Sequence, residues 1–254
     1  MTLFDSDAGP AKVKLVVAYD GTDFRGFAGQ RDVRTVAGVL SKAIEKVLRH
    51  EVELACAGRT DAGVHAYGQV VSFEADPGLD PWRLQQSLNG MLGPEIVVRS
   101  AAVVDPSFDA RRAATWRLYH YTVVNRPVAD PFLARYAWWV AEPLELSTLR
   151  LGADPFVGEH DFAAFCRQGP AGSTTVRRVL DSHWTDLGDG VLRYEIRATA
   201  FCWQMVRAIT GTLVEIGVGK RHPGDVMGML RRRDRAAAGR LAPPHGLCLR
   251  EVGY

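Results

Sequence analysis

Asp61 stands in the stretch Ala57 to Phe73, AGRTDAGVHAYGQVVSF, two residues after Arg59 and two before Gly63. Glycine at 58 and 63 lets the backbone take positive φ or lets another molecule come close, so the carboxylate is expected on a rigid turn. One carboxylate kept ionised by a nearby cation is a candidate nucleophile. The plainer reading is an Asx-turn, in which the side chain caps its own backbone. Around it, Val52, Leu54 and Ala55 on one side and the alternating Val70 to Phe73 on the other predict strand, polar loop, strand.

GRTDAGVHA followed by a short strand resembles the catalytic loop of the TruA family, tRNA pseudouridine synthases that modify the anticodon stem-loop at positions 38–40. VAYDGTDFRGFAGQ resembles that family's opening strand and loop, with Phe27-Ala28-Gly29 where the family usually carries a tryptophan and further polar residues. SFDARRAATWRLYHYTV resembles the start of its second half and puts the substrate-contacting tyrosine at Tyr119. FCWQMVRAITGTLVEIGVG resembles its strand-to-helix segment and puts the arginine that pairs with the catalytic Asp at Arg207. The resemblance thus implies Asp61 as nucleophile, Arg207 as its ion-pair partner, Tyr119 and Arg59 as substrate-binding residues, and a homodimer that places one tRNA across both subunits. The reaction breaks the N1 to C1′ bond, turns the uracil and rejoins it through C5, and it implies no cofactor and no metal. A carboxylate suffices, adding to C6 or trapping C1′, once the stacked uridine has been flipped out. Arg59 would follow the base into the stack.

Plainer readings stand beside these. Tyr119 in an alternating strand can be sheet packing, Arg207 can be a solvated helix residue, and His65 reads as a loop hydrogen-bonder. Arg231-Arg232-Arg233-Asp234-Arg235 can grip phosphates or be a solvated face, and Arg111, Arg112, Arg126, Arg177 and Arg178 are further phosphate candidates. The alternative of a different class is a non-catalytic RNA-binding protein on the same fold. A glycosidase would need two carboxylates flanking the bond, and the loop offers one.

The chain has 254 residues, 47% hydrophobic and 24% charged, an ordinary globular balance. Net charge is only +2, but it is uneven: −3 over residues 1–108 and +5 over 109–254. A polyanion would be met mainly by the second half, where arginine's planar fork suits phosphate. No apolar run approaches the roughly 20 residues of a membrane span, and MTLFDSDAGP lacks the character of a signal peptide. A soluble cytoplasmic protein is expected. Cys56, Cys166, Cys202 and Cys248 form no C-x-x-C and the seven histidines no H-x-x-x-H, so the expectation is four small buried thiols in a reducing compartment and no metal.

The elements that must position these residues follow from periodicity. Val13 to Tyr19 is a buried strand closed by Asp20-Gly21. Val36, Val39, Leu40, Ala43, Ile44, Val47 and Leu48 recur as one helix face behind Thr35 as N-cap. Asp80-Pro81 starts a second helix through Leu84, Leu88 and Leu92, and Ile96 to Val104 is a strand. Further on, strands are expected at Trp116 to Val124 and Trp138 to Ala141, and a helical stretch over Ser147 to Phe165, broken at Pro155. A hairpin follows about Gly188-Asp189-Gly190, then a helix over Met205 to Ile216, a basic helix over Asp225 to Arg235 and a strand over Gly246 to Val252. The expected fold is α+β: two ferredoxin-like β-α-β-β-α-β halves with antiparallel sheets, a pseudo-duplicated pseudouridine synthase fold with a central cleft. Residues 1–108 would carry the Asp loop, and the more basic 109–254 would complete the site.

Overall fold

The computed structural model describes residues 11–167, 169 and 172–254. The chain divides into two compact units, one running to Ala114 and including Tyr254, the other Thr115–Gly253. Each mixes helices with antiparallel strands, so the architecture is α+β.

The first unit runs β1 (Ala11–Tyr19), α1 (Val36–Leu48), β2 (Ala55–Cys56), β3 (His65–Ala75), α2 (Pro81–Leu92) and β4 (Ile96–Val104). Its strands pair antiparallel in the order β4, β1, β3, β2. Val13, Leu15, Val17 and Tyr19 alternate into the core along β1, the period of a strand covered on one face. On α1 the apolar face buries Val36, Leu40, Ala43 and Ile44, and Thr35 Oγ1 accepts the Gly38 N–H at 3.2 Å. Helix α2 starts on Asp80, whose Oδ1 accepts from the Trp82 and Arg83 N–H groups, with Pro81 in the first turn where its missing donor costs nothing. Leu84 and Leu88 are its buried residues, and full burial of such side chains stabilises by about 1.5–3 kcal/mol each.

Strand β3 departs from simple alternation. Its pairing with β1 passes from Val17 opposite Gln69 to Tyr19 opposite Ala66, three steps on β3 against two on β1. The extra residue is a β-bulge at Tyr67-Gly68, a device that re-aims side chains. Gln69, in the regular part of the ladder, is fully buried on the same face as Val71 and Phe73.

The second unit runs β5 (Trp116–Asn125), β6 (Trp138–Val140), α3 (Leu146–Ala153), β7 (Gly158–Asp161), β8 (Val176–Asp186), β9 (Val191–Ala198), α4 (Met205–Gly217), α5 (Asp225–Arg232) and β10 (Leu247–Gly253). The order is β10, β5, β9, β8, β7, all antiparallel, with β6 parallel to the end of β5. Helix α4 is buried nearly all round rather than on one stripe. Its Thr210 and Thr212 hydroxyls are satisfied by donating to the Val206 and Ala208 carbonyls at 2.8 Å each.

Three expectations need correction. The stretch from Ser147 to Phe165 is not continuous helix: α3 stops at Ala153, one 3-10 turn holds Pro155, and β7 intervenes before a second 3-10 turn. Gly158, at φ +113°, makes the switch into a strand that pairs with β8. The basic helix ends at Arg232, because Arg233 takes the left-handed conformation (φ 57°) as its C-cap. Cys166 and Cys202, expected as separate thiols, are joined in a disulfide with Cα atoms 5.8 Å apart, while Cys56 and Cys248 are outside any disulfide and half-buried rather than buried. Spacing along the chain is silent about a pair separated by 36 residues. No described helix is long and apolar enough to cross a membrane.

Candidate active site

Asp61 lies on the loop between β2 and β3, and that loop is pinned from three directions within the first unit. Inside the loop, the Val64 N–H donates to the Asp61 carbonyl at 3.1 Å. Across from it, the segment after β1 supplies Phe27 N–H to the Thr60 carbonyl at 3.0 Å and Phe24 carbonyl to the Gly63 N–H at 3.4 Å. That segment is anchored to α1, whose Val36 and Ala37 N–H groups donate to the Gly26 and Phe27 carbonyls, satisfying donors a helix start would otherwise leave open. Two glycines make the approach possible. A Cβ on Gly21 would fall on the Val64 carbonyl, and one on Gly26, which sits at φ +94°, would come within 2.9 Å of the Thr60 carbonyl.

From below, buried polar groups reach the same backbone. The Tyr19 hydroxyl is 2.8 Å from Thr60 Oγ1, and Gln69 Nε2 donates to the Gly58 carbonyl at 2.6 Å. His65, also buried, brings Nδ1 to 3.0 Å from the Gly21 nitrogen and 3.2 Å from Asp20 Oδ1. The result is an alternation along the loop: Arg59 exposed, Thr60 buried, Asp61 half-buried, Ala62 exposed. Asp61 thus sits half-buried on a backbone that is itself fixed. Phe27, at the departure from the resembled pattern, is core: it is 2% exposed, with its ring 6.2 Å from that of Tyr19.

Arg207 lies in the first turn of α4 within the second unit, half-buried. Its Nε donates to the Ala242 carbonyl at 2.8 Å, and the Ala242 N–H donates back to the Arg207 carbonyl at 3.1 Å. That reciprocal pair fixes the root of the guanidinium and aims its terminal nitrogens. Beside it, burial pushes the Tyr121 hydroxyl far above its ordinary range, against the opposing pull of Arg207 and Arg240, so Tyr121 stays neutral and donates to the Pro243 carbonyl. Tyr119, on β5, is 8% exposed, its ring edge-on to Phe201 at 5.1 Å. It sits where Arg250 forms a bulge in β10, between the Leu249–Tyr119 and Glu251–Leu118 pairs.

The basic candidates separate. Arg233 is ion-paired with Asp161 at 3.0 Å, and Arg126 with Asp189 at 2.6 Å, so each already has a protein partner. Arg231 and Arg232 are exposed in the last turn of α5, where cations complement the helix dipole. Among the described residues no group of three or more His, Cys, Asp or Glu side chains is arranged to hold a metal ion. Gln69 and Tyr19 are the residues that reading the sequence passed over. Their signal was present: a glutamine inside an otherwise apolar strand must find partners or be expensive to bury.

A carboxylate held on a fixed backbone is one arrangement from which a covalent nucleophile can act. The chain belongs to the tRNA pseudouridine synthase family, whose model matches residues 15–111 and 153–254. It is similar to tRNA pseudouridine synthase A of Brevibacillus brevis, 42% identical over 245 residues that cover 96% of this chain and 99% of that one. The protein of the same name from Leifsonia xyli subsp. xyli is 40% identical over 264 residues, 96% of this chain and 91% of that one. That of Pseudothermotoga lettingae is 39% identical over 239 residues, 94% and 98% respectively.

Proposed function

We propose that this protein isomerises uridine to pseudouridine in the anticodon stem-loop of tRNA, with Asp61 as the nucleophile. The observation that carries the reading is the Asp61 loop: its backbone is bonded to Phe24, Phe27 and the Gly58–Gln69 pair, and Asp61 itself stays only half-buried. A protein that only bound RNA would gain nothing by presenting a fixed negative charge to a polyanion. The uridine is flipped from the stack, and the carboxylate adds to C6 or captures C1′ as the N1 to C1′ bond breaks. The base turns, C5 bonds to C1′, the C5 proton leaves and N1 takes one up, so no oxidant or reductant enters.

In this reading exposed Arg59 occupies the vacated stack, Tyr119 contacts the uracil, and Arg207 is the cation that pairs with Asp61. These three assignments rest on the resemblance of their segments to the family's. Both units are read as ferredoxin-like copies of one frame. In support, the first unit's strands lie fourth, first, third, second, and with the short β6 and β7 set aside β10, β5, β9, β8 repeat that order in the second. The more basic second unit would meet most of the phosphates. A homodimer working in the cytoplasm completes the proposal, and the exposed Val128 and Phe132, 76% and 89% accessible, are apolar surface for a second copy to cover.

The test is Asp61→Asn on an unmodified tRNA transcript carrying uridines in the anticodon stem-loop. Turnover is expected to fall by about a thousandfold or more, because an amide is a far weaker nucleophile, with tRNA affinity changed less than about threefold. Turnover above about a tenth of wild type would remove Asp61 from the chemistry.

A further inference from the structure

We infer that Gln69 is a positioning residue for Asp61, acting with Tyr19 from beneath the loop; the inference rests on the reading of Asp61 as nucleophile. Gln69 is fully buried, and its amide meets Gly58 at both ends: Nε2 donates to the Gly58 carbonyl at 2.6 Å, and Oε1 accepts the Gly58 N–H at 3.4 Å. Oε1 also accepts the Val70 N–H at 3.2 Å, and Nε2 lies 3.4 Å from the Tyr19 hydroxyl, itself 2.8 Å from Thr60 Oγ1. One side chain therefore fixes Gly58 directly and Thr60 through Tyr19, the two residues on either side of Arg59 and the last before Asp61. Gln69 faces inward by the regular alternation it shares with Val71 and Phe73, opposite Val17, and the ladder breaks only beyond it, between Gln69 and Ala66.

An amide fits such a place at any working pH: it offers a donor to the carbonyl and an acceptor to the N–H at the same time. The network is also costly to leave half-made, because a buried peptide group without its partner loses about 1–3 kcal/mol. A carboxylate nucleophile tolerates little misplacement, and a shift of about 1 Å can cost a hundredfold in rate. Anchoring the turn from a side chain on the following strand, which its neighbours hold in place, removes that freedom.

The experiment compares wild type, Gln69→Met, Gln69→Glu, Tyr19→Phe and Asp61→Asn on one tRNA transcript, with kcat, KM and melting temperature recorded at each pH. Gln69→Met is expected to lower kcat about 10- to 100-fold with KM within about twofold, and Tyr19→Phe to do the same more weakly. Gln69→Glu supplies the signature that loss of packing alone would not give. Protonated, the new carboxyl donates and accepts as the amide does; ionised, it faces the Gly58 carbonyl with no donor. Burial raises the pKa of such a group, so the ratio of Gln69→Glu to wild-type kcat is expected to fall about tenfold or more as pH rises from about 6 to about 9.

A Gln69→Met enzyme with wild-type kcat, a loss confined to KM, or a flat Gln69→Glu ratio would each overturn the inference. Should Gln69→Met fail to fold, Tyr19→Phe and the Gln69→Glu ratio decide alone. An active Asp61→Asn would instead overturn the nucleophile reading, whereas an inert Asp61→Asn beside an unimpaired Gln69→Met would refute only the role of Gln69.

Discussion

Asp61 and Arg207 are held by opposite means. The carboxylate rides on irregular backbone, and what fixes it is a set of directional bonds from Phe24, Phe27, Tyr19 and Gln69. The guanidinium rides on a helix with eleven of its thirteen residues buried, and its Nε is tied to the Ala242 carbonyl. Burial is non-directional and spread over many atoms, so a helix survives the removal of any one neighbour; a loop held by a handful of hydrogen bonds does not. Damage around Asp61 should therefore appear in the rate, and damage around α4 in stability first.

The hardest blow to that contrast is Gly211→Ala. Its new Cβ would fall on the Arg240 carbonyl, which belongs to backbone and cannot swing away. Unfolding free energy is expected to drop by about 2–3 kcal/mol, read from urea titration, with kcat per folded molecule unchanged. A normal melt would mean that α4 is not the rigid support described.

Arg207→Met comes next, and probes whether the helix end takes part in the chemistry. Losing the Ala242 bond costs about 1 kcal/mol of stability; if Arg207 is the cation that pairs with the proposed nucleophile, its loss should also lower kcat about 10- to 100-fold. Arg207→Lys should recover part of it, since one ammonium cannot reproduce a two-pronged contact with a carboxylate. Full activity in the Met variant would leave Arg207 as a helix residue and no more.

The mildest effect is expected from Arg231→Gln with Arg232→Gln. Arg233 is left in place because Asp161 already engages it. If both arginines meet tRNA phosphates, the slope of log affinity against log salt should flatten by about 0.7–0.9 for each phosphate no longer neutralised. An unchanged slope would make that end of α5 a solvated face.

Much of this was legible in the sequence where the cause is local. Thr35 and Asp80 were readable as N-caps because capping is a matter of a side chain and the next three amides, and the structure has both. The hairpin turn about Gly188-Asp189-Gly190 was readable for the same reason, with all three residues at positive φ. What escaped depends on partners distant in sequence. Strand β7 exists because β8 is there to pair with it, and Gly158 was hidden behind the stronger signal of Pro155. Cys166 meets Cys202 through the fold alone. At the site, the Asp61 loop announced itself by residue type and Gln69 as a lone amide in an apolar strand, but its partners Gly58 and Tyr19 are brought to it only by the fold.

The close approach of Gly21 to the Val64 carbonyl and of Gly26 to the Thr60 carbonyl has a consequence for anyone who would borrow this chemistry. The segment after β1 and the Asp61 loop are separated along the chain by all of α1 and β2, yet they form a single part. Transplanted alone into another scaffold, GRTDAGVHA would arrive without the surface it is moulded on, and its aspartate would be one more flexible turn residue. The portable unit is the pair of loops, together with the strand that carries the glutamine.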